Sequence, residues 1–135
     1  MLHKIISTKK APAPGHYSQG RVIEFPDHKI AYTALVTGND PETDEVVGGD
    51  IESQTKQALE NLRAIIEAAG GTLNDIVKVS VMFENLARDK QGFDKIYNSF
   101  FTDQLPARSL CEVKAVPLTT EKTIIGIEAI AYISK

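Results

Sequence analysis

The stretch "GGDIESQTKQALENLRAIIEAAGGTLNDIVKVSV", residues 48–81, decides the fold. Asp50 stands where a helix N-cap is expected, because its carboxylate can accept a hydrogen bond from a free first-turn N–H. After it, Ile51, Thr55, Ala58, Leu59, Leu62, Ile65, Ile66 and Ala69 recur at spacings of three and four. That period draws one apolar stripe along a helix of about five turns. Gly70-Gly71 ends it, since glycine accepts the left-handed conformation of a C′ residue. "DIVKVSVMF" (75–83) then changes period from 3.6 to 2 and reads as a strand. Alternation places Val77, Val79, Val81 and Phe83 on one face and Lys78, Ser80 and Met82 on the other.

Working outward, "HKIIST" (3–8) reads as a short strand and "KKAPAPG" (9–15) as a loop, where two prolines and a glycine deny regular hydrogen bonding. "RVIEF" (21–25) and "KIAYTALV" (29–36) read as a hairpin around a tight Pro26-Asp27-His28 turn. "TGNDPETDEVVGG" (37–49) is a loop, with Asp40-Pro41 favouring a turn. Beyond residue 83, a second helix is expected from about Lys90 to Asp103, with Phe93, Ile96, Tyr97 and Phe100 as its buried edge. "LPARSLCEV" (105–113) is a strand opened by proline, "PLTTEK" (117–122) a polar loop, and "TIIGIEAIAYIS" (123–134) the last strand. Leu110 and Val113 are expected to be buried, and Cys111 to be a small core residue.

The order β-β-β-α-β-α-β-β predicts one α+β domain over residues 1–135, a mixed sheet in two layers with both helices on one face. The last strand is apolar on both sides. Ile125, Ile127, Ala129 and Ala131 share one face, and Ile124, Ile130 and Tyr132 the other. A strand apolar on both faces is normally covered on both. No third layer is left in the chain to cover the second face, so another subunit is expected to do so.

Composition narrows the function classes. A net charge of −3 argues against a general nucleic-acid binder, which would normally carry a basic stripe. No run of 18 apolar residues suggests a membrane span, and the apolar run in "MLHKIISTKK" is too short for a signal peptide. One cysteine makes no internal disulfide, and His3, His16 and His28 lack metal-ligand spacing. These features point to a reducing, cytoplasmic setting.

Several motifs together resemble the RidA (YjgF) family of imine/enamine deaminases, also labelled endoribonuclease L-PSP. They are "YSQG" (17–20), residues 48–81, "YNSFF" (97–101), "PARSLCEV" (106–113) and "IEAIA" (127–131), and the resemblance runs from about Pro14 to Tyr132. It implies a chorismate-mutase-like fold and a homotrimer whose sheets form a central barrel, with a cleft at each subunit interface. It also implies hydrolysis of reactive 2-imino or enamine acids to 2-oxo acids and ammonia, with no cofactor. On that resemblance Arg108 grips the substrate carboxylate, a role suited to a planar, permanently charged fork. Tyr17, Thr33, Ala34, Asp94 and Leu110 fall on the other substrate-binding positions.

The chain departs from the family pattern in four places. Thr33-Ala34-Leu35 stands where a Ser-Gly-Gln segment is usual, Leu110 where a cysteine is common, and Asp94 where an asparagine is common. Gly126 stands where a glutamate orients the attacking water. Glu128 remains two residues on and on the same face, about 6–7 Å along the strand, and is the other catalytic candidate. The missing glutamate leaves two expectations open: an imine deaminase, or a trimer that binds a small carboxylate such as a 2-oxo acid without turning it over.

Overall fold

The structure is a computed structural model that describes residues 2–117 and 122–135. Its elements are β1 (Leu2–Ile6), β2 (Gly20–Glu24), β3 (His28–Thr33), β4 (Val36–Thr37), α1 (Ile51–Ala68), β5 (Ile76–Phe83), α2 (Leu86–Phe100), β6 (Ala107–Glu112) and β7 (Ile125–Ser134), with a 3₁₀ turn at Leu73–Asp75. The strands form one sheet in the order β1-β2-β3-β7-β5-β6, and β4 adds to β7 beyond the end of β3. Among the described residues only the β5–β6 pairing is parallel, and α2 makes that crossover. This is the α+β mixed sheet expected. Most of the 117–122 loop lies outside the described residues.

α1 begins where its cap predicts: the Asp50 side chain accepts from Ser53 N at 2.9 Å. Hydrogen bonding to that amide holds the Asp50 carboxyl below the usual range. The helix ends at Gly70, whose φ is +93°. Its stripe buries Ala58, Leu59, Leu62, Ile65 and Ile66 against the sheet, each large side chain contributing about 1.5–3 kcal/mol. α2 starts four residues earlier than expected because Asn85 caps it, accepting from Arg88 N at 3.0 Å. Phe93 and Tyr97 are buried on its inner edge, and Ile96 and Phe100 are half-buried beside them.

The structure corrects four expectations. Val77 is 50% exposed, and Ile76 takes its place in the core. A bulge between Ile76 and Lys78 shifts the register against β7, so simple alternation fails there. The expected strand 29–36 is two strands. Tyr32 pairs with Ile130 and Val36 with Ile127, so Thr33, Ala34 and Leu35 face only two residues of β7. The Thr33 hydroxyl repairs the break, accepting from Ala129 N at 3.0 Å. Cys111 is exposed rather than in the core, because alternate residues of edge strand β6 point away from the helices. Ile124 is buried rather than left on the open face. It precedes β7, where the Gln54 side chain accepts from its N–H at 3.0 Å.

The helix-covered face of β7 is sealed: Ile125, Ile127, Ala129 and Ala131 are all buried. On the other face Tyr32, Val77 and Tyr132 remain 44–50% exposed. Within the described residues, no helix is long and apolar enough to cross a membrane.

Candidate functional site

Arg108 enters β6 just after Pro106, opposite Val79 of β5. Its side chain turns toward α2, where the guanidinium carbon lies 4.8 Å from the Tyr97 ring centroid and 5.8 Å from that of Phe93. A cation over an aromatic face is held there by the ring quadrupole. Arg108 Nη1 also donates to Asp94 Oδ1 at 2.9 Å, and Lys90 Nζ donates to Asp94 Oδ2 at 2.6 Å. Asp94, Phe93 and Tyr97 meet one guanidinium because residues three and four apart share a helix face. The Arg108 and Asp94 side chains each keep 25% exposure, so the cation is oriented without being sealed off.

These contacts set the local charge states. Burial pushes the Asp94 carboxyl up, but hydrogen bonds from Lys90 and Arg108, with their charges, outweigh it and hold it below the usual range. Burial pushes the Tyr97 hydroxyl up; the Arg108 charge opposes this and the Asp94 charge adds to it. The Tyr97 hydroxyl is buried without a hydrogen-bond partner among the described residues. Leu110, two residues after Arg108, is half-buried against the core.

A second group lies around the β3–β4 break. Tyr17, Ala34 and Leu35 help line a cleft of about 470 Å³ with Pro14, Asn39 and Ile65, a volume in the range of small-molecule sites. The backbone of this region is largely committed: Ala34 N donates to Gln19 O at 2.9 Å, and the Thr33 hydroxyl donates to Ala34 O at 2.9 Å. Gly126 on β7 is buried beneath Leu35. A Cβ at Gly126 would meet Leu35 Cγ, Cδ1 and Cδ2 at 3.0 Å. The leucine therefore occupies the room that a side chain at 126 would need, and two of the sequence departures form one packing unit. Glu128 pairs across the sheet with Ser80. It lines a separate depression of about 220 Å³ on the open face, with Lys78, Ser80 and Thr33.

One chain does not bring the two groups together. Arg108, Asp94 and Leu110 belong to β6 and α2 at one end of the sheet. Tyr17, Thr33, Ala34 and Leu35 belong with β3 and the loops beside it. β5 and β7 stand between β6 and β3, and three strand steps amount to about 14 Å.

Sequence reasoning missed the residues that hold these pieces in place. Gln19 is buried, takes Thr8 N on Oε1, and donates through Nε2 to the carbonyls of Thr8, Ala11 and Pro12. It thereby ties down the loop that leads to Tyr17. Gln54 and Asn61 are buried polar residues on α1: Gln54 holds Ile124 N and Lys122 O, and Asn61 donates to Thr37 O and Asn39 O. Their seven-residue spacing beside the apolar stripe was the available signal.

Comparison with known proteins gives consistent results. A family model described as Endoribonuclease L-PSP matches residues 8–133. A RutC family protein of Pyrococcus abyssi is 41% identical, with 98% of each chain covered. A rat protein named 2-iminobutanoate/2-iminopropanoate deaminase is 36% identical over 97% of this chain and 90% of its own. The crystal structure of the YjgF gene product from E. coli superposes with a TM-score of 0.80 at 39% identity, covering 95% of this chain and 97% of that one.

Proposed function

The chain belongs to the endoribonuclease L-PSP family, that of the RidA/YjgF proteins, and we propose that it hydrolyses reactive 2-imino and enamine acids to 2-oxo acids and ammonia. The observation that carries this reading is the seat of Arg108. A permanently charged fork rests on Tyr97, partly open to solvent, with one edge tied to Asp94. Its remaining donors suit a ligand carboxylate. The name of the rat relative supplies the substrate class.

In the proposed reaction the enamine first tautomerises to the imine. A water oxygen then attacks C2, the C–N bond breaks, and nitrogen leaves as ammonia, giving the 2-oxo acid. The Tyr17 group and the Arg108 group join across the interface of a homotrimer built on the open sheet face, where Tyr32, Val77 and Tyr132 await cover. Gly126 offers no carboxylate to orient the water, so catalysis rests on positioning a reactive substrate. Glu128, on the same face of β7, is the remaining acidic candidate. The site needs no cofactor in this scheme, and a cytoplasmic setting suits it.

A second reading, a trimer that binds small carboxylates without reaction, is favoured by the Leu35–Gly126 packing, which fills the water-orienting position. A coupled assay separates the two. A pyridoxal-phosphate dehydratase generates 2-iminobutanoate, and formation of 2-oxobutanoate is followed with and without this protein. Acceleration that disappears in Arg108→Ala supports the deaminase. An unchanged rate at saturating protein contradicts it and leaves carboxylate binding.

A further inference from the structure

We propose that Asp94 makes the Arg108 site selective for ligands carrying a positive nitrogen beside their carboxylate. The inference rests on reading Arg108 as the carboxylate anchor, and it goes further by naming the charge state of the preferred ligand.

Asp94 is committed to the anchor. Its Oδ1 takes Nη1 of Arg108 at 2.9 Å and its Oδ2 takes Lys90 Nζ at 2.6 Å. Among the described residues the rest of the Arg108 fork is unclaimed. A ligand carboxylate that takes those donors lies within about one guanidinium width of the Asp94 carboxylate. At that distance a like charge is unfavourable and an opposite charge is favourable, and partial burial weakens the screening.

An ordinary 2-oxo acid brings only its negative charge, so Asp94 works against it. A 2-iminio acid or a 2-ammonio acid brings a cationic N–H donor two bonds from its carboxylate carbon. That nitrogen can face Asp94 while the carboxylate faces Arg108, and each ligand charge then meets its opposite. Lys90 keeps the local sum positive, so anions are still drawn in, while Asp94 sets the discrimination between them. An asparagine at this position would fill the same volume without the charge.

The same arrangement bears on turnover. Hydrolysis removes the positive nitrogen and leaves a 2-oxo acid, the ligand that Asp94 disfavours. The substrate is therefore held in its electrophilic iminium form, and the product is weakened at its anchor as soon as it forms.

The test compares 2-oxobutanoate with L-2-aminobutanoate, which share a carbon skeleton and a carboxylate and differ in the positive nitrogen. Calorimetric titration of the assembled protein gives both affinities for wild type, Asp94→Asn and Asp94→Ser, the serine variant serving if the asparagine variant misfolds. The expected result is opposite movement: the amino acid weakens, the oxo acid strengthens, and their affinity ratio falls about tenfold. If both affinities move by the same factor, or neither moves, the selectivity is overturned while Arg108 stands as anchor. If wild type binds neither ligand, the anchor reading falls and the selectivity with it.

Discussion

Restoring a glutamate at position 126 should damage this protein before it helps. Gly126 is buried in β7, between Thr37 of β4 and Met82 of β5. Its missing Cβ would sit 3.0 Å from three carbons of Leu35, tighter than ordinary van der Waals contact at about 3.5–4.0 Å. Overpacking of this kind costs about 1–3 kcal/mol, and a desolvated carboxylate adds to it. Removing a strand glycine returns about 0.5–1 kcal/mol. The net expectation for Gly126→Glu is a loss of about 1–3 kcal/mol, or a Tm lower by about 3–10 °C for a domain of this size. Leu35→Ala opens the space, so the double variant should be more stable than the sum of the single losses by at least about 1 kcal/mol. It should also be the variant that gains imine hydrolysis, about 10²-fold if the carboxylate positions water. Thermal melts of the four proteins complete the cycle, and the hydrolysis assay is run on each folded variant. Additive losses, within about 0.5 kcal/mol, would refute the claim that Leu35 and Gly126 form one packing unit.

Three further outcomes follow from the geometry. Arg108→Lys keeps the charge but loses the fork, so 2-oxo acid affinity by calorimetry should fall about tenfold while Tm moves only a few degrees; equal affinity would remove Arg108 as anchor. Gln19→Ala should free residues 8–17, cost about 1–3 kcal/mol through buried partners left unpaired, and speed amide exchange in that loop more than in α1; protection unchanged in the loop would contradict the tie. Asp94 has a lowered folded pKa, so its contribution is complete above the ordinary aspartate pKa and is lost as pH falls through the lower folded value. Denaturant melts of wild type against Asp94→Asn should therefore differ by up to about 1 kcal/mol near neutrality and converge in acid; a difference that persists in acid would exclude the ion pair as its source.

The two helices, their sheet and the Asp50 cap were legible because each rests on local periodicity or on a cap one turn away. The departures arise where distant chain decides. Val77 loses its core place to a bulge set by pairing with β7, and nothing in "DIVKVSV" announces it. The break at Thr33 depends on where β4 resumes on β7. For the site, Arg108 was conspicuous as a cation at the mouth of an apolar strand, but its partner Asp94 is 14 residues away. Their meeting requires the α2 crossover. Leu35 and Gly126 stood out separately as departures from a family pattern. That one fills the room above the other depends on β3 and β7 lying side by side, a relation across some 90 residues that residue spacing does not encode.

The central claim is that one site is built from two copies, Arg108 from one and Tyr17 from its neighbour, and subunit mixing tests it most directly. Arg108→Ala and Tyr17→Ala proteins are each assembled alone, then co-refolded in equal amounts, and imine hydrolysis is measured in all three preparations. In a randomly mixed cyclic assembly, about one quarter of interfaces carry both intact halves. The account predicts little activity in either variant alone and recovery to about a quarter of wild type on mixing. A mixed preparation no more active than the average of its two parents would contradict it, because a site contained within one chain gains nothing from a neighbour.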